Sequence, residues 1–487
     1  MRYKLWIGGE WKETGDTHII SSPFSETTVG LCEQARESEV EEAIEFAQSA
    51  FTVFKNVSRY ARSILLERIA EGIEKLRDEF ISVIVDEAGK PIMLAEIEVS
   101  RAISCFQIAS EECKRYAGEL IPLDGDRNGR EFDSAISFLT PRGIILAITP
   151  FNFPLNLVAH KVAPALAIGA SVILKPSPEA PGASNLLAQV FADAAKFISD
   201  SLEKIPLDAL QVVHCSNELA SEMVKDERIS TLSFTGSDRV GWELQTIARR
   251  KKVCLELGGN AAVIVHKDAD LERAVSRCVF GAFAYAGQVC ISVQKIFIHH
   301  SIFSEFKKKF LRETEKVIAG NPFERDTLIG PLINRKARDR ILNWVEEAKR
   351  ANALFLNSVN AVDNIVYPIV LESVPPYLKI STEEVFGPVV ILDDYTNFSE
   401  AIQRVNDSRF GLQVGVFTDS DKIMRQATDD LDVGAILFNE IPGFRVDHMP
   451  YGGVKDSGLG REGIRFAMEE FSERKTIIKR RNKNVSE

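Results

Sequence analysis

One of the seven cysteines lies where a reactive thiol can be displayed. Cys290 follows the small and polar residues Ala-Gly-Gln, between a helical pattern that ends at Gly287 and a strand-like run that begins at Gln294. A buried structural cysteine, the alternative, is usually flanked by the periodic apolar residues of one helix or strand face. Junctions between elements commonly display reactive groups, so Cys290 is a candidate nucleophile.

Two polar residues at the ends of apolar runs could serve such a nucleophile. Asn152 stands between prolines after "GIILAIT". A held amide is a good donor to a developing oxyanion, although turn formation is the more frequent role of asparagine. Glu256 precedes a Gly-Gly turn in an apolar run, where a carboxylate is costly unless it is paired or functional. A general base and a buried ion pair are the two interpretations of Glu256.

Two further features are suited to a phosphate. In "SFTGSDRVG", a strand-like run leads to Gly236 and Ser237 at a helix N-terminus, where free N–H groups and the positive dipole end favour an anion. The alternative is an ordinary helix cap by Ser237. Lys175 ends the run "SVILK", and strand C-termini in open parallel sheets line the ligand crevice. The alternative for Lys175 is a solvated surface lysine.

Helical patterns dominate the N-terminal third of the chain. Ser38 and Glu41 form a capping-box pattern that predicts the start of a helix. A longer helical pattern covers 58–87, and another helix is predicted over 91–117.

From residue 143 onward, short β-branched runs alternate with helical patterns, which indicates a parallel α/β sheet. A second series of strands and helices begins with "KVCLELGG" and "AAVIV" and predicts a second α/β domain, with a boundary near Glu256. Two outlying runs, 131–140 and 473–480, look like exposed strands that could pair with each other or with another subunit.

Composition excludes several classes of function. The 487 residues predict two or three domains, and a net charge of −11 argues against nucleic acid or an anionic membrane as partner. The odd number of cysteines, without CxxC spacing, predicts neither a disulfide framework nor a metal site and fits a reducing cytoplasm. Prolines and polar residues interrupt the apolar region 143–174, so a soluble protein is expected.

Seven short motifs, taken in order, resemble the signature series of the aldehyde dehydrogenase superfamily. They are "TPFNFP", "LKPS", "FTGS", "LELGG", "AGQVC", "EEVFGPV" and "PYGGVKDSGLGREG". The similarity spans nearly the whole chain. Within the superfamily, the chain looks most like the lactaldehyde dehydrogenase group, with the non-phosphorylating glyceraldehyde-3-phosphate dehydrogenases as more distant relatives.

The resemblance implies an α/β fold with a variant Rossmann cofactor domain, an α/β catalytic domain and a β-arm for oligomerisation. The expected boundaries are 1–120 with 141–255 for the cofactor domain, 256–455 for the catalytic domain, and 121–140 with 456–487 for the arm and C-terminal segment. A homodimer or homotetramer is expected.

The resemblance also implies a reaction, the NAD(P)-dependent oxidation of a small hydroxylated or anionic aldehyde to its acid. Cys290 would add to the aldehyde, giving a thiohemiacetal and then a thioester. Asn152 and the backbone N–H of Cys290 would hold the oxyanion, and Glu256 would activate the hydrolytic water. A CoA-acylating dehydrogenase and a non-catalytic protein on the same fold are the alternatives, but such relatives would be expected to lack Glu256 or Cys290.

Family members bind the cofactor with residues that match seven positions here, namely Lys175, Gly236, Ser237, Gly241, Leu257, Glu384 and Phe386. Many NAD-specific members carry a glutamate three residues after the lysine, where it binds the ribose 2′-hydroxyl and repels a 2′-phosphate. Pro178 occupies that position here, followed by Glu179. The cofactor is therefore expected to be NAD or NADP.

The substrate residues implied by the resemblance are Arg101, Arg445 and His448. Two guanidinium groups near a pocket would favour a hydroxylated or anionic aldehyde, because arginine matches carboxylate and phosphate geometry. The alternative is that both arginines form structural ion pairs with acidic neighbours.

Overall fold

The computed structural model describes residues 1–480. Residues 481–487 lie outside the described residues. Within the described part of the chain, no helix combines the length and apolar character needed to cross a membrane.

The helices cluster in the N-terminal third and then alternate with strands. The α-helices are α1 (Glu37–Phe54), α2 (Arg59–Lys75), α3 (Arg77–Ala88), α4 (Ile92–Arg115), α5 (Asn156–Ile168), α6 (Gly182–Ser201), α7 (Asn217–Lys225), α8 (Asp238–Ile247), α9 (Leu271–Phe283), α10 (His300–Thr314), α11 (Arg335–Arg350), α12 (Lys379–Thr382), α13 (Phe398–Asn406), α14 (Asp421–Asp430) and α15 (Ile464–Glu470). Short 3₁₀ turns cover Arg127–Glu131, Leu207–Ala209 and Ala284–Gly287.

The strands up to Glu256 are β1 (Arg2–Tyr3), β2 (Leu5–Ile7), β3 (Glu10–Lys12), β4 (Thr17–Ser21), β5 (Thr28–Glu33), β6 (Glu119–Pro122), β7 (Phe132–Pro141), β8 (Ile144–Ile148), β9 (Ser171–Lys175), β10 (Leu210–Val212), β11 (Ile229–Thr235) and β12 (Lys252–Glu256). The later strands are β13 (Ala262–Val265), β14 (Lys295–His299), β15 (Leu354–Phe355), β16 (Ala361–Val362), β17 (Ile365–Val366), β18 (Ile369–Glu372), β19 (Val389–Tyr395), β20 (Phe410–Gly411), β21 (Gln413–Phe417), β22 (Ala435–Phe438), β23 (Val454–Lys455), β24 (Gly458–Leu459) and β25 (Ser472–Arg480).

Two large sheets organise the molecule. Within the described residues, the first sheet has the strand order β24-β12-β11-β8-β9-β10-β2-β3, with a parallel centre and antiparallel strands at its edges. The second sheet has the order β15-β18-β19-β14-β13-β21-β22, and only its β15 edge is antiparallel. The central strands β8 and β9 are buried along their whole lengths, as expected for parallel strands covered on both faces. The predicted α/β fold is therefore confirmed.

The assignment of "KVCLELGG" to the second series of strands is wrong. β12 pairs in parallel with β11 over its whole length, with Glu256 opposite Thr235, and so belongs to the first sheet. A short buried apolar strand has the same pattern whichever sheet it joins, so the sequence could not decide this. The chain passes to the second sheet in the Gly-Gly turn that follows Glu256.

The helix starts and breaks differ in two places from the prediction. α1 begins at Glu37, and the capping glutamate is Glu39, whose Oε2 accepts from the backbone N of Arg36 at 2.9 Å. The predicted capping box of Ser38 and Glu41 is therefore wrong, because the box lies two residues earlier, at Arg36 and Glu39. The pattern over 58–87 forms two helices separated at Leu76, rather than one. The periodicity continues across the break because both helices turn their apolar faces into the same core.

The two outlying strands pair with each other, as one of the predicted alternatives stated. β25 runs antiparallel to β7, and β6 lies on the other side of β7, which gives a small sheet that we call the arm sheet. Apolar side chains remain exposed on it, namely Leu120, Ile121, Ile136, Ile477 and Ile478.

Candidate active site

A cavity of about 740 Å³ collects most of the predicted site residues. It is lined by all three predicted catalytic residues and by seven others of the predicted set, namely Asn152, Glu256, Cys290, Gly236, Ser237, Leu257, Glu384, Phe386, Arg101 and Arg445. Lys175, Gly241 and His448 are not among its lining residues. The cavity lies between the two large sheets. Glu256 is the last residue of β12 in the first sheet, and Cys290 precedes β14 in the second.

The cysteine is displayed by a tight, strained turn. After α9 the backbone takes three consecutive left-handed conformations, with φ of 52° at Tyr285, 54° at Ala286 and 67° at Gly287. Such conformations cost energy in non-glycine residues and persist where the surroundings hold them. The Tyr285 hydroxyl donates to the carbonyl of Ala88 at 2.9 Å and so fixes the turn. The predicted position of Cys290 between helix and strand is confirmed.

The thiol itself is partly buried, and its Sγ lies 3.1 Å from the hydroxyl oxygen of Tyr451. Burial raises the pKa of Cys290 to about 12, although the hydrogen bond with Tyr451 acts in the opposite direction. The resting side chain is therefore a neutral thiol at neutral pH, and it must lose a proton to become a nucleophile.

Asn152 is held by the same turn. Its Nδ2 donates to the carbonyl of Gln288 at 2.9 Å, two residues before the cysteine. An amide nitrogen carries two hydrogens, so one remains for an oxyanion. The Gln288 side chain is itself fixed, because its Oε1 accepts from the backbone N of Ile333 at 2.9 Å.

A buried ion pair that was not predicted from the sequence supports the segment that carries Asn152. Lys90 donates to Glu98 Oε2, and Glu98 Oε1 accepts from the backbone N–H groups of Leu155 at 2.9 Å and Asn156 at 3.1 Å. The ammonium of Lys90 also lies 3.5 Å from the ring centroid of Phe153. We call this pair the Lys90 cluster.

Glu256 is buried, and neither of its carboxylate oxygens has a hydrogen-bond partner among the described residues. Burial raises the pKa of Glu256 well above its usual value, and the nearby Glu462 carboxylate adds to the rise. The carboxyl is thus ready to accept a proton from a neighbouring molecule once it is ionised. Of the two interpretations of Glu256, the ion pair is not found in the structure.

Behind Glu256 lies a second set of buried charges that sequence reasoning missed. Lys161 Nζ donates to Glu462 Oε1 at 2.7 Å and to Ser233 Oγ at 3.0 Å, and Arg445 Nη2 lies 3.4 Å from Glu462 Oε2. Burial alone would raise the pKa of Glu462, but Lys161 and Arg445 outweigh it and lower the value to about 2. We call Glu256, Glu462, Lys161 and Arg445 the Glu256 cluster. The one signal available in the sequence was a charged residue, Lys161, inside an apolar run.

The predicted phosphate-binding turn has an open helix end. Ser237 is the N-cap of α8 by its backbone, but its side chain makes no capping hydrogen bond, so the alternative of an ordinary side-chain cap is wrong. The first N–H groups of α8 therefore keep their capacity to bind an anion. Gly241 does not reach the cavity; a Cβ there would lie 2.3 Å from Leu257 Cδ2, so this glycine allows α8 to pack closely on Leu257.

Glu384 and Phe386 lie at the same end of the cavity, between α12 and β19. Glu384 Oε1 accepts from the backbone N of Gly259 at 3.1 Å, and burial raises the pKa of this carboxyl to about 8. Phe386 has a left-handed backbone, φ 49°, and its ring meets Phe151 edge to face at 6.1 Å. Both side chains are thus fixed before any ligand binds.

Lys175 ends β9 and is only 5 % exposed, so its interpretation as a solvated surface lysine is wrong. Burial lowers its pKa. Pro178 is exposed, and the Glu179 carboxylate accepts from the Ser177 hydroxyl at 2.6 Å.

The three predicted substrate residues have different surroundings. Arg101, on α4, lines the cavity but donates through Nη2 to Asp447 Oδ1 at 2.7 Å, as the ion-pair alternative stated. Arg445 also lines the cavity, and its side chain is 6 % exposed. His448 is exposed outside the lining.

Asp447 also belongs to a polar group that the sequence did not predict. His160 Nε2 lies 3.0 Å from Asp447 Oδ1, and Cys105 Sγ lies 3.5 Å from the same nitrogen. Three such groups are close enough to share a metal ion. However, the guanidinium of Arg101 already pairs with Asp447, and burial together with Arg445 lowers the pKa of His160 to about 4. This cationic setting opposes a metal and suits a network that holds the loop of Arg445.

The chain matches the Aldehyde dehydrogenase family over residues 11–477. It is 38 % identical over 479 residues to the 3-sulfolactaldehyde dehydrogenase of Priestia aryabhattai, covering 98 % of each chain. It is 36 % identical over 475 residues to the lactaldehyde dehydrogenase of Methanococcus aeolicus, covering 97 % of this chain and 99 % of that one.

The fold is shared with a solved structure, the glyceraldehyde-3-phosphate dehydrogenase GapN from Methanocaldococcus jannaschii complexed with NADP. The two superpose with a TM-score of 0.90 at 36 % identity, over 95 % of this chain and 99 % of that one. The resemblance drawn from the seven motifs is confirmed. The chain belongs to the aldehyde dehydrogenase family and is an NAD(P)-dependent aldehyde dehydrogenase.

Proposed function

We propose that this enzyme oxidises a small anionic or hydroxylated aldehyde to its carboxylic acid and accepts NADP at least comparably to NAD. The observation that carries the substrate class is the state of Arg445. Its guanidinium is buried beside the cavity, its Nε has no partner among the described residues, and its contact with Glu462 is long, at 3.4 Å. Arg101, in contrast, is already engaged by Asp447. Arg445 therefore has hydrogen-bonding capacity left for an anionic group.

The relatives support the same class of substrate. The names of the Priestia and Methanocaldococcus enzymes specify aldehydes that carry a sulfonate or a phosphate. The Methanococcus enzyme is named for a hydroxylated aldehyde. Arginine binds such oxyanions through a planar fork of donors.

The proposed chemistry uses three side chains in sequence. Cys290 adds to the aldehyde carbon as a thiolate, and the free amide hydrogen of Asn152, with the backbone N–H of Cys290, donates to the oxyanion that forms. A bound nicotinamide cofactor supplies the acceptor for the hydride. Glu256 then takes a proton from the water that hydrolyses the thioester at Cys290. The unpartnered carboxylate of Glu256 supports hydrolysis rather than transfer of the acyl group to CoA.

The cofactor is proposed to extend from β9 across the open end of α8 to Glu384. The residues that would hold it are Lys175, Gly236, Ser237, Leu257, Glu384 and Phe386, and Gly241 would contribute indirectly, through the close packing of α8 on Leu257. An uncapped helix N-terminus and a buried lysine fit a group that carries phosphates and ribose hydroxyls. Acceptance of NADP is supported by Pro178, which cannot repel a 2′-phosphate, and by the engagement of Glu179 with Ser177.

Residues 1–120 with 141–255 are proposed as the cofactor domain, 256–455 as the catalytic domain, and 121–140 with 456–487 as the arm and C-terminal segment. The exposed apolar residues of the arm sheet support its use in a homodimer or homotetramer. The seven free cysteines support a reducing cytoplasm.

The substrate proposal is tested by the variant Arg445→Leu with a panel of sulfo-, phospho- and hydroxy-aldehydes, and with propanal as the uncharged reference. Loss of a charge-assisted hydrogen bond should raise KM for the anionic aldehydes by about ten- to a hundredfold, with a smaller effect on propanal. Each assay is run with NAD and NADP. A preference for NAD of more than about a hundredfold in kcat/KM, roughly 2.7 kcal/mol, would contradict the cofactor proposal.

Arg277→Leu is a matched control. Arg277 is also partly buried, pairs with Glu440 at 2.7 Å and stacks on the ring of Phe280, but it does not line the cavity. It should leave both substrate types unaffected. Equal rises in KM for anionic aldehydes and propanal in Arg445→Leu would make Arg445 a structural residue.

A further inference from the structure

We infer that the hydroxyl of Tyr451 donates a hydrogen bond to Sγ of Cys290 and stabilises the thiolate form of the nucleophile. The inference rests on the proposed role of Cys290 and adds a residue to the proposed site. Neither of the other two side chains assigned to the reaction by the sequence motifs carries this task, because Asn152 donates to the Gln288 carbonyl and Glu256 has no hydrogen bond with the thiol.

The position of the hydroxyl is fixed from several sides. Tyr451 is 4 % exposed, its oxygen lies 3.1 Å from Sγ, and its ring packs with Ile291 and Leu412. Its backbone exchanges two hydrogen bonds with Glu462, N to O at 3.0 Å and O to N at 2.7 Å. Because Glu462 is held in turn by Lys161, the backbone of Tyr451 is fixed, and the packing around its ring limits movement of the phenol away from the sulfur.

The direction of the hydrogen bond follows from the charge state of the sulfur. In the neutral pair either atom can donate. A thiolate can only accept, so the phenol must be the donor once the thiol has lost its proton to water in the open cavity. Burial raises the pKa of Tyr451 well above its usual value, so the phenol keeps its own proton.

Arg445 strengthens the donor. Its guanidinium carbon lies 3.8 Å from the centroid of the Tyr451 ring. A cation over the ring face favours negative charge on the phenol oxygen, which makes the O–H bond more polar. The other charged groups that face the thiol are Glu256 and Glu384, which oppose a thiolate, and Arg445 itself, which favours it. Among the described residues, the Tyr451 hydroxyl is the side-chain group within hydrogen-bonding distance of Sγ, so it is the direct stabilising contact.

The test is the alkylation of Cys290 by iodoacetamide in Tyr451→Phe, with no aldehyde or cofactor present. The sulfur displaces iodide only as the thiolate, so at pH values below the pKa of the thiol the rate is proportional to the thiolate fraction. We expect alkylation of the variant to be about tenfold slower than that of the wild type at each pH between about 7 and 9, which corresponds to a rise of about one unit in the pKa of the thiol. Because this assay needs no substrate, failure of the proposed aldehyde class would not affect it.

Two controls make the result specific. Tyr395→Phe removes another buried hydroxyl, which contacts His266 Nδ1 at 2.9 Å far from the thiol, and should keep the wild-type profile. Cys290→Ala measures alkylation of the six other cysteines, all of which are buried.

A second variant covers the case in which Tyr451→Phe does not fold. Replacement of Tyr451 by 3-fluorotyrosine keeps the ring and the hydroxyl but makes the phenol a stronger donor, so alkylation at a given pH should be faster than in the wild type. A wild-type alkylation rate in the folded phenylalanine variant, or in the fluorinated protein, would overturn the inference.

Discussion

The two buried charge clusters, the Lys90 cluster and the Glu256 cluster, differ in how completely their polar atoms are paired. In the Lys90 cluster, each oxygen of Glu98 has a partner, and the ammonium of Lys90 has both a carboxylate and the faces of aromatic rings. In the Glu256 cluster, both oxygens of Glu256 and Nε of Arg445 have no partner among the described residues.

This difference in pairing indicates that one cluster stabilises the structure and the other takes part in the reaction. Burial of a charge is unfavourable because the charge loses its hydration, and a buried charge whose hydrogen bonds are all made holds the backbone that it contacts in place. A buried charge with unpaired polar atoms can still bind another group, such as a substrate anion or a water molecule. We therefore expect the Glu256 cluster to govern rate and the Lys90 cluster to govern stability.

The largest expected effect is that of Cys290→Ala, which removes the nucleophile on which the Glu256 cluster acts. Aldehyde oxidation should fall by about 10⁴-fold or more, while cofactor binding, measured by fluorescence, stays close to that of the wild type. Cys278→Ala is the control, because Cys278 packs in α9 and should cost stability rather than rate. Substantial turnover by the Cys290 variant would remove the site assignment altogether.

The next effect is that of Glu256→Gln on deacylation. The hydride-transfer burst should persist while steady turnover slows by about 10²–10⁴-fold, because the amide cannot take a proton from water. In the wild type, kcat should rise with pH through the raised pKa of Glu256, since only the carboxylate acts as base, and the variant should lose this rise. Rapid-mixing kinetics across pH measures both. Unchanged steady turnover would require another base.

The smallest effect on rate is expected for Glu98→Gln, in the cluster with complete pairing. The neutral amide leaves Lys90 without its charged partner, so the free energy of unfolding should fall by about 3 kcal/mol. Urea unfolding measures this loss, and burst and steady rates per folded molecule should stay near wild type. If Glu98→Gln instead slowed deacylation as Glu256→Gln does, pairing would not distinguish the two clusters.

Local patterns predicted the elements well where they alternate with clear periodicity. The strands and helices from β8 to β14 and the site motifs at their ends were evident from the sequence, because short-range period and turn residues specify them. The break at Leu76 and the sheet to which β12 belongs were not, since both depend on packing against distant parts of the chain.

The same limit applies to the site. The side chains of Cys290, Asn152 and Glu256 were predicted because they lie next to turns. Lys161 and Glu462 were not, because nothing in either local sequence specifies a partner about three hundred residues away. Tyr451 was missed for the same reason, since its relation to the sulfur exists only after the two sheets have come together.

The strands of the first sheet come from distant parts of the chain, and this has a consequence for synthesis on the ribosome. One edge is built by β2 and β3 near the N-terminus, whereas β24 at the other edge comes from residues 458–459. A nascent chain therefore cannot complete this sheet until residues 458–459 have been translated, and the β12 edge stays open until then. Pairings between such distant segments form slowly, and open strand edges attract other chains. We expect premature termination products to depend on chaperones and to aggregate without them.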